Sequence, residues 1–152
     1  MEITLASQFP DLSFAKLADA WLLKNKDTTI LEQVESRRIV AIEFAKLDFG
    51  GDMGSDLRYG GGISIRLRDS NTMEENIRDL GHEIGHTFHF NLESKFPLPN
   101  MLVFFAAQFE WLVLQEMVER FCDEFSRKWL AINGEEKVIQ FCEELPFFAK
   151  DP

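Results

Sequence analysis

Gly81-His82-Glu83-Ile84-Gly85-His86 is the most informative stretch of the chain and contains a His-Glu-x-x-His pattern. On an α-helix, residues four apart share a face, one turn above each other. His82 and His86 can therefore direct two imidazole nitrogens at one metal ion. Zinc accepts such a pair readily and then needs a third protein ligand and a position for water. Glu83 lies about 100° further round the helix than His82. From there its carboxylate can take the proton of a water at the metal, acting as general base. Histidine is scarce, 3 in 152 residues, so this spacing seldom arises by chance.

The flanking residues predict the helix that the chemistry requires. Thr72 with Glu75 reads as a capping box. Ile77, Leu80, Ile84 and Phe88 then recur at helical spacing. The expected helix runs over about residues 72–90.

Upstream, Phe14, Leu17, Ala18, Trp21 and Leu22 mark one apolar face of a helix over 13–23. Asp27 is positioned to cap a second short helix carrying Ile30, Leu31 and Val34. Residues 38–49 alternate, with Val40, Ile42 and Phe44 on one side, and predict a strand. Residues 50–62 are rich in Gly and Asp and read as loop, with a short strand near 57–59. Ile63, Ile65 and Leu67 alternate with Ser64, Arg66 and Arg68, a half-buried strand.

Beyond the motif, Pro97, Pro99 and Asn100 interrupt the chain before a helical region over about 101–131, one helix or two. Asn133-Gly134 is a stop signal, and 135–144 predicts a last short helix. Met101 to Leu114 is nearly all apolar. It is short of the roughly 20 residues of a membrane span, so it is read as a buried helix, with a partner-binding patch as the alternative. Helices, strands, then helices predict one α+β domain over 1–152.

A hydrophobic fraction of 45% with 15 Phe residues is enough for a substantial core. The net charge of −10 argues against direct contact with nucleic acid or an anionic membrane. Cys122 and Cys142 sit among apolar helical residues, so they read as buried thiols in a reducing compartment. No signal peptide is apparent at the N-terminus, and the expected location is the cytoplasm.

The third ligand must come from elsewhere in the chain. His89 shares the face of the motif, but about 10 Å of helix rise separates it from His82. It is expected to line the cleft or to support a ligand from behind, or else to be simply a solvated side chain. Glu119 is the better candidate. Glu119 and Asp123 are four apart on a predicted helix, so the first could bind the metal while the second accepts the outer N–H of a ligating histidine. Spacing alone equally allows Glu116, Glu119, Asp123 and Glu124 to form an ordinary solvated acidic face.

Two blocks resemble the ImmA/IrrE family of small zinc metallopeptidases. One is Ile63-Ser64-Ile65-Arg66-Leu67 leading into the His82–His86 motif, where a Gly precedes the second His. The other runs from Glu119 to Leu130 and is similar to the family's Glu-x-x-Ala-Asn/Asp-x-Phe-Ala-x-x-Leu-Leu pattern. Cys122, Asp123, Phe125 and Ser126 take the Ala, Asn/Asp, Phe and second Ala positions. The second block runs into Ala131-Ile132-Asn133-Gly134, where the family has a Met-Pro or Leu-Pro step.

The resemblance implies His82, His86 and Glu119 as Zn2+ ligands and Glu83 as base. The fold it implies is zincin-like, with a small antiparallel or mixed sheet packed on the motif helix and on a helix bearing Glu119. The implied activity is zinc-dependent endopeptidase, acting on one regulatory protein such as a DNA-binding repressor. Tyr59 is a further candidate, as an extra donor to the reacting carbonyl oxygen. The alternative function is a catalytically silent module of the same fold that acts through protein–protein contacts.

Overall fold

The computed structural model describes residues 3–89, 101–144 and 148–149, with the side chains of 101–111 and 148–149 excepted. The chain forms a small α+β domain. Its elements are α1 (Leu5–Gln8), α2 (Ala15–Lys24), α3 (Ile30–Ser36), β1 (Ile39–Ala45), β2 (Gly51–Asp56), β3 (Gly62–Arg68), α4 (Met73–His86), α5 (Met101–Asn133), α6 (Glu135–Glu143) and β4 (Phe148–Ala149). The sheet is mixed, in the order β2-β3-β1-β4. β3 runs parallel to β1 and antiparallel to β2, and β4 adds two antiparallel residues beside β1.

β3 alternates and sends Ile65 and Leu67 into the core, while an irregularity between Ile39 and Ala41 lets β1 bury Ile39 and Ile42, three positions apart. Phe44, expected on the same side as Ile42, is exposed, whereas those four are fully buried. They meet Leu80 and Ile84 of α4 and Phe121, Phe125 and Trp129 of α5. Phe9 and Phe14 pack edge-on against Phe121 at centroid distances of 5.7 and 5.0 Å. Edge-on contact matches the positive ring edge to the negative face. The buried amide of Gln33 (α3) accepts from Trp129 Nε1 at 2.7 Å and donates to Asn133 Oδ1 at 2.8 Å, which joins α3 to α5 with paired polar atoms.

Several elements differ from the sequence expectation. Residues 51–56 are a strand, and 57–59 are a single 3-10 turn, the reverse of the expected assignment. Local composition disfavours a strand here, but β3 offers a complete row of backbone partners from Gly51↔Leu67 to Asp56↔Gly62, and tertiary pairing overrides propensity. The strand expected over 38–49 is shorter, ending at Ala45. The helix expected to be capped by Asp27 is capped by Thr29, whose hydroxyl accepts from Glu32 N while Glu32 returns the bond. α1 is additional. Asp19 holds its first turn by accepting from Leu5 N and Ala6 N at 2.9 Å each.

The capping box on the motif helix is as expected, from Thr72 to Glu75. That helix ends at His86, short of 90. Residues 101–133 form one helix. Of the apolar stretch 101–114, the side chains up to 111 lie outside the described residues. Leu112 and Val113 are exposed, against the buried reading, while Leu114 packs on the core. Among the described residues, no helix is long and apolar enough to cross a membrane.

The crossing of α4 and α5 depends on small residues. A Cβ at Gly81 would fall 2.5 Å from Ser126 Oγ and 3.0 Å from Ser126 Cα, and one at Gly85 would fall 3.2 Å from Cys122 Cα. Helix propensity alone favours Ala over Gly by about 1 kcal/mol. Overpacking costs about 1–3 kcal/mol, and a backbone Cα cannot rotate aside. Gly81→Ala is therefore expected to lower stability in urea unfolding. Gly54→Ala, where a Cβ meets nothing within 4 Å, is the matched control and should change it little.

Candidate metal centre

α4 carries His82 and His86 one turn apart, and α5 crosses it closely enough to bring Glu119 against both. Glu119 Oε2 lies 2.9 Å from His82 Nε2, and Glu119 Oε1 lies 3.1 Å from His86 Nε2. The two Nε2 atoms are 3.1 Å apart. Three donors from two helices thus converge in one triangle.

The outer ring nitrogens are also engaged. His82 Nδ1 is 2.7 Å from Asp123 Oδ1, the partner expected from the four-residue spacing. His86 Nδ1 is 2.6 Å from His89 Nε2. His89 also lines the cleft.

This triangle could hold a tetrahedral metal ion. Ligand atoms at 2.0–2.1 Å from a tetrahedral ion are about 3.3 Å apart, within a few tenths of an ångström of the distances here. His82, His86 and Cys122 form another group that could hold a metal ion, their ligand atoms lying within 4.8 Å of one another. Sequence analysis treated Cys122 only as a buried thiol. It is fully buried, and burial, with the charges of Glu119, Glu83 and Asp123, pushes the thiol well above its ordinary value.

Electrostatics separate the groups. Hydrogen bonds to His82 and His86 hold the Glu119 carboxyl well below the usual carboxylate range. For His82, burial acts to lower the imidazole but is outweighed by Glu119, Glu83 and Asp123, which hold it up at about 9. Burial, then the charge of His86, lowers His89 to about 4. Glu83 is only 5% exposed. Burial pushes its carboxyl up to about 7, with Glu119 and Asp52 adding to the rise and the two imidazoles opposing it.

These residues share a cleft of about 540 Å³ with Phe49, Gly50, Gly51, Asp52, Met53 and Asp79. Gly51 gives β2 its close approach, since a Cβ there would fall 3.1 Å from Arg66 O and 3.4 Å from Glu83 Cγ. Asn71 Nδ2 donates to both Gly50 O and Asp79 Oδ2, at 2.9 and 3.2 Å, tying the start of β2 to α4. The sequence offers the Ile63–Leu67 strand, or the Gly-rich loop before it, as the edge for an extended peptide. Among the described residues the segment from Gly51 is that edge, but it is a strand and not a loop. A larger hollow of about 800 Å³ between α4, α5 and α6 contains Asp123 but no histidine.

Tyr59 is not brought to the site. It lies in the 3-10 turn beyond the far end of β2, with the Arg58 guanidinium 5.3 Å from its ring centroid. About 3.3 Å of rise per strand residue carries that turn away from the cleft end at Gly51. No protein-family model matches the chain, and neither does any curated protein or solved structure.

Proposed function

We propose that this chain is a zinc-dependent endopeptidase of zincin-like fold, resembling the ImmA/IrrE metallopeptidases, with His82, His86 and Glu119 as ligands and Glu83 as general base. The observation that carries the reading is the convergence of two imidazole nitrogens and a carboxylate within 3.1 Å of one another. Each Nε2 faces one oxygen of Glu119, and one cation would satisfy all three donors. Glu119 is preferred to Cys122 because its two carboxylate oxygens lie 2.9 and 3.1 Å from the two Nε2 atoms.

Bound zinc would polarise the scissile carbonyl and acidify water. The remaining work falls to the chain. Glu83, buried beside the triad with its carboxyl near neutrality, can take a proton from the attacking water at one carboxylate oxygen and return it to the leaving amine. Asp123 would hold the His82 ring in orientation. Among the described residues β2 is an edge strand, hydrogen-bonded to β3 alone, and its first residues line the cleft. An extended peptide could pair with that edge and lie across the triad. The central strand β3 is not available for this.

By the same resemblance the substrate is one regulatory protein, such as a DNA-binding repressor, cut in the cytoplasm. A net charge of −10 suits a basic partner and disfavours direct contact with nucleic acid or membrane.

Metal analysis and hydrolysis of a quenched peptide library test the reading. One zinc per chain is expected. Cleavage should be lost on treatment with 1,10-phenanthroline and restored by added zinc. A chain that takes up no zinc when it is offered would end the assignment.

A further inference from the structure

We propose that His89 is a positioning residue of the metal centre, its Nε2 accepting the Nδ1 proton of His86 so that His86 presents Nε2 in one tautomer and one ring plane. This inference rests on the zinc reading above. A ligand nitrogen must offer a lone pair, so a His86 that binds through Nε2 carries its proton on Nδ1. That proton points at His89 Nε2, 2.6 Å away. His89 Nε2 is then the acceptor, and the proton of that ring resides on Nδ1.

The local backbone explains how His89 reaches a residue only three positions earlier. A continued α-helix would place residues three apart about 60° out of line. α4 instead tightens after His86. Thr87 N, Phe88 N and His89 N donate to the carbonyls of Ile84, Gly85 and His86, at 3.0, 3.2 and 3.3 Å. These are three successive bonds of 3-10 type, and in that geometry residues three apart are superimposed. The two rings meet at a centroid distance of 4.8 Å, and Phe14 closes on His89 from the other side at 5.7 Å.

The turn itself is fastened from α3. Arg37 Nε donates to Thr87 Oγ1 at 2.9 Å and Arg37 Nη2 to Thr87 O at 3.1 Å. The Arg37 guanidinium also stacks 3.8 Å over the Phe88 ring. The two ligating histidines are therefore oriented by different means. His82 uses a carboxylate from the opposite helix, and His86 uses an imidazole delivered by a locked turn on its own chain segment.

The test is zinc affinity, measured by competition with a chromophoric chelator, for wild type, His89→Ala and His89→Gln. Loss of an outer partner of this kind weakens metal binding by about 10–100-fold, and that loss is expected for His89→Ala. His89→Gln should recover most of it, because the terminal amide oxygen can occupy the place of Nε2 and accept the same proton. Thermal unfolding of the metal-free forms should not separate the Ala and Gln variants. Affinity of His89→Ala within twofold of wild type, or a Gln variant as weak as the Ala variant, would overturn the role. Wild type that binds no zinc at all would instead overturn the zinc reading on which the role rests.

Discussion

Glu83→Gln is expected to lower the rate of peptide hydrolysis by about 10²–10⁴-fold, the usual contribution of a general base, while the zinc content stays at one per chain. At about 1.36 kcal/mol per factor of ten, that is a loss of about 3–5 kcal/mol of transition-state stabilisation. A carboxamide matches the carboxylate in shape but cannot take a proton from water. Glu83 is not one of the converging donors, so the metal should be unaffected. Folding should survive as well. Glu83 is 5% exposed and its carboxyl is pushed up to about 7 by burial, so a neutral isostere removes a charge that the site holds at a cost. Parallel measurement of hydrolysis and bound zinc checks this. Activity within tenfold of wild type would assign proton removal to another group.

Glu119→Ala is expected to weaken zinc binding by more than the factor of about 100 that bounds the loss of an outer partner, because a direct ligand is removed. Its side chain is 57% exposed, so the metal-free fold should lose little. Cys122→Ala should do the reverse, keeping zinc affinity near wild type and costing about 1 kcal/mol of stability through lost buried area. Thermal unfolding with and without zinc separates the two. At a hundredfold excess over Kd, zinc should stabilise wild type by about 2.7 kcal/mol, a rise of roughly 5–10 °C for a domain of this size. That rise should vanish in Glu119→Ala and persist in Cys122→Ala. The opposite pattern would make Cys122 the third ligand.

Strongly periodic segments were legible in the sequence. The capping box at Thr72, the apolar face through Ile77, Leu80 and Ile84, and the alternation of β3 each depend on neighbours a few residues away. The carboxylate pair was legible in part. Four-residue spacing places Glu119 and Asp123 on one face, but a solvated acidic helix has the same spacing. Their placement against His82 and His86 follows from the close crossing at Gly81 and Gly85 over Cys122 and Ser126. Small residues four apart on both helices were a signal for that crossing.

The edge strand was misread because its register belongs to β3. Gly51-Asp52-Met53-Gly54 has no strand propensity of its own, and it is extended because a partner supplies the hydrogen bonds. Tyr59 drew attention as the only tyrosine, and a turn at the wrong end of β2 removes it from the cleft.

Local spacing along one helix was enough to bring His82, Glu83 and His86 to a common face, since helix geometry relates residues a turn apart without reference to the rest of the chain. Tertiary packing alone settled which acid from 33 positions beyond His86 faces them, which strand walls the cleft, and how a tightened turn brings His89 behind His86. Those relations depend on how closely two helices approach and on which backbone pairs with which. Such distances are set by the whole core and leave no periodic trace in the residues that occupy the site.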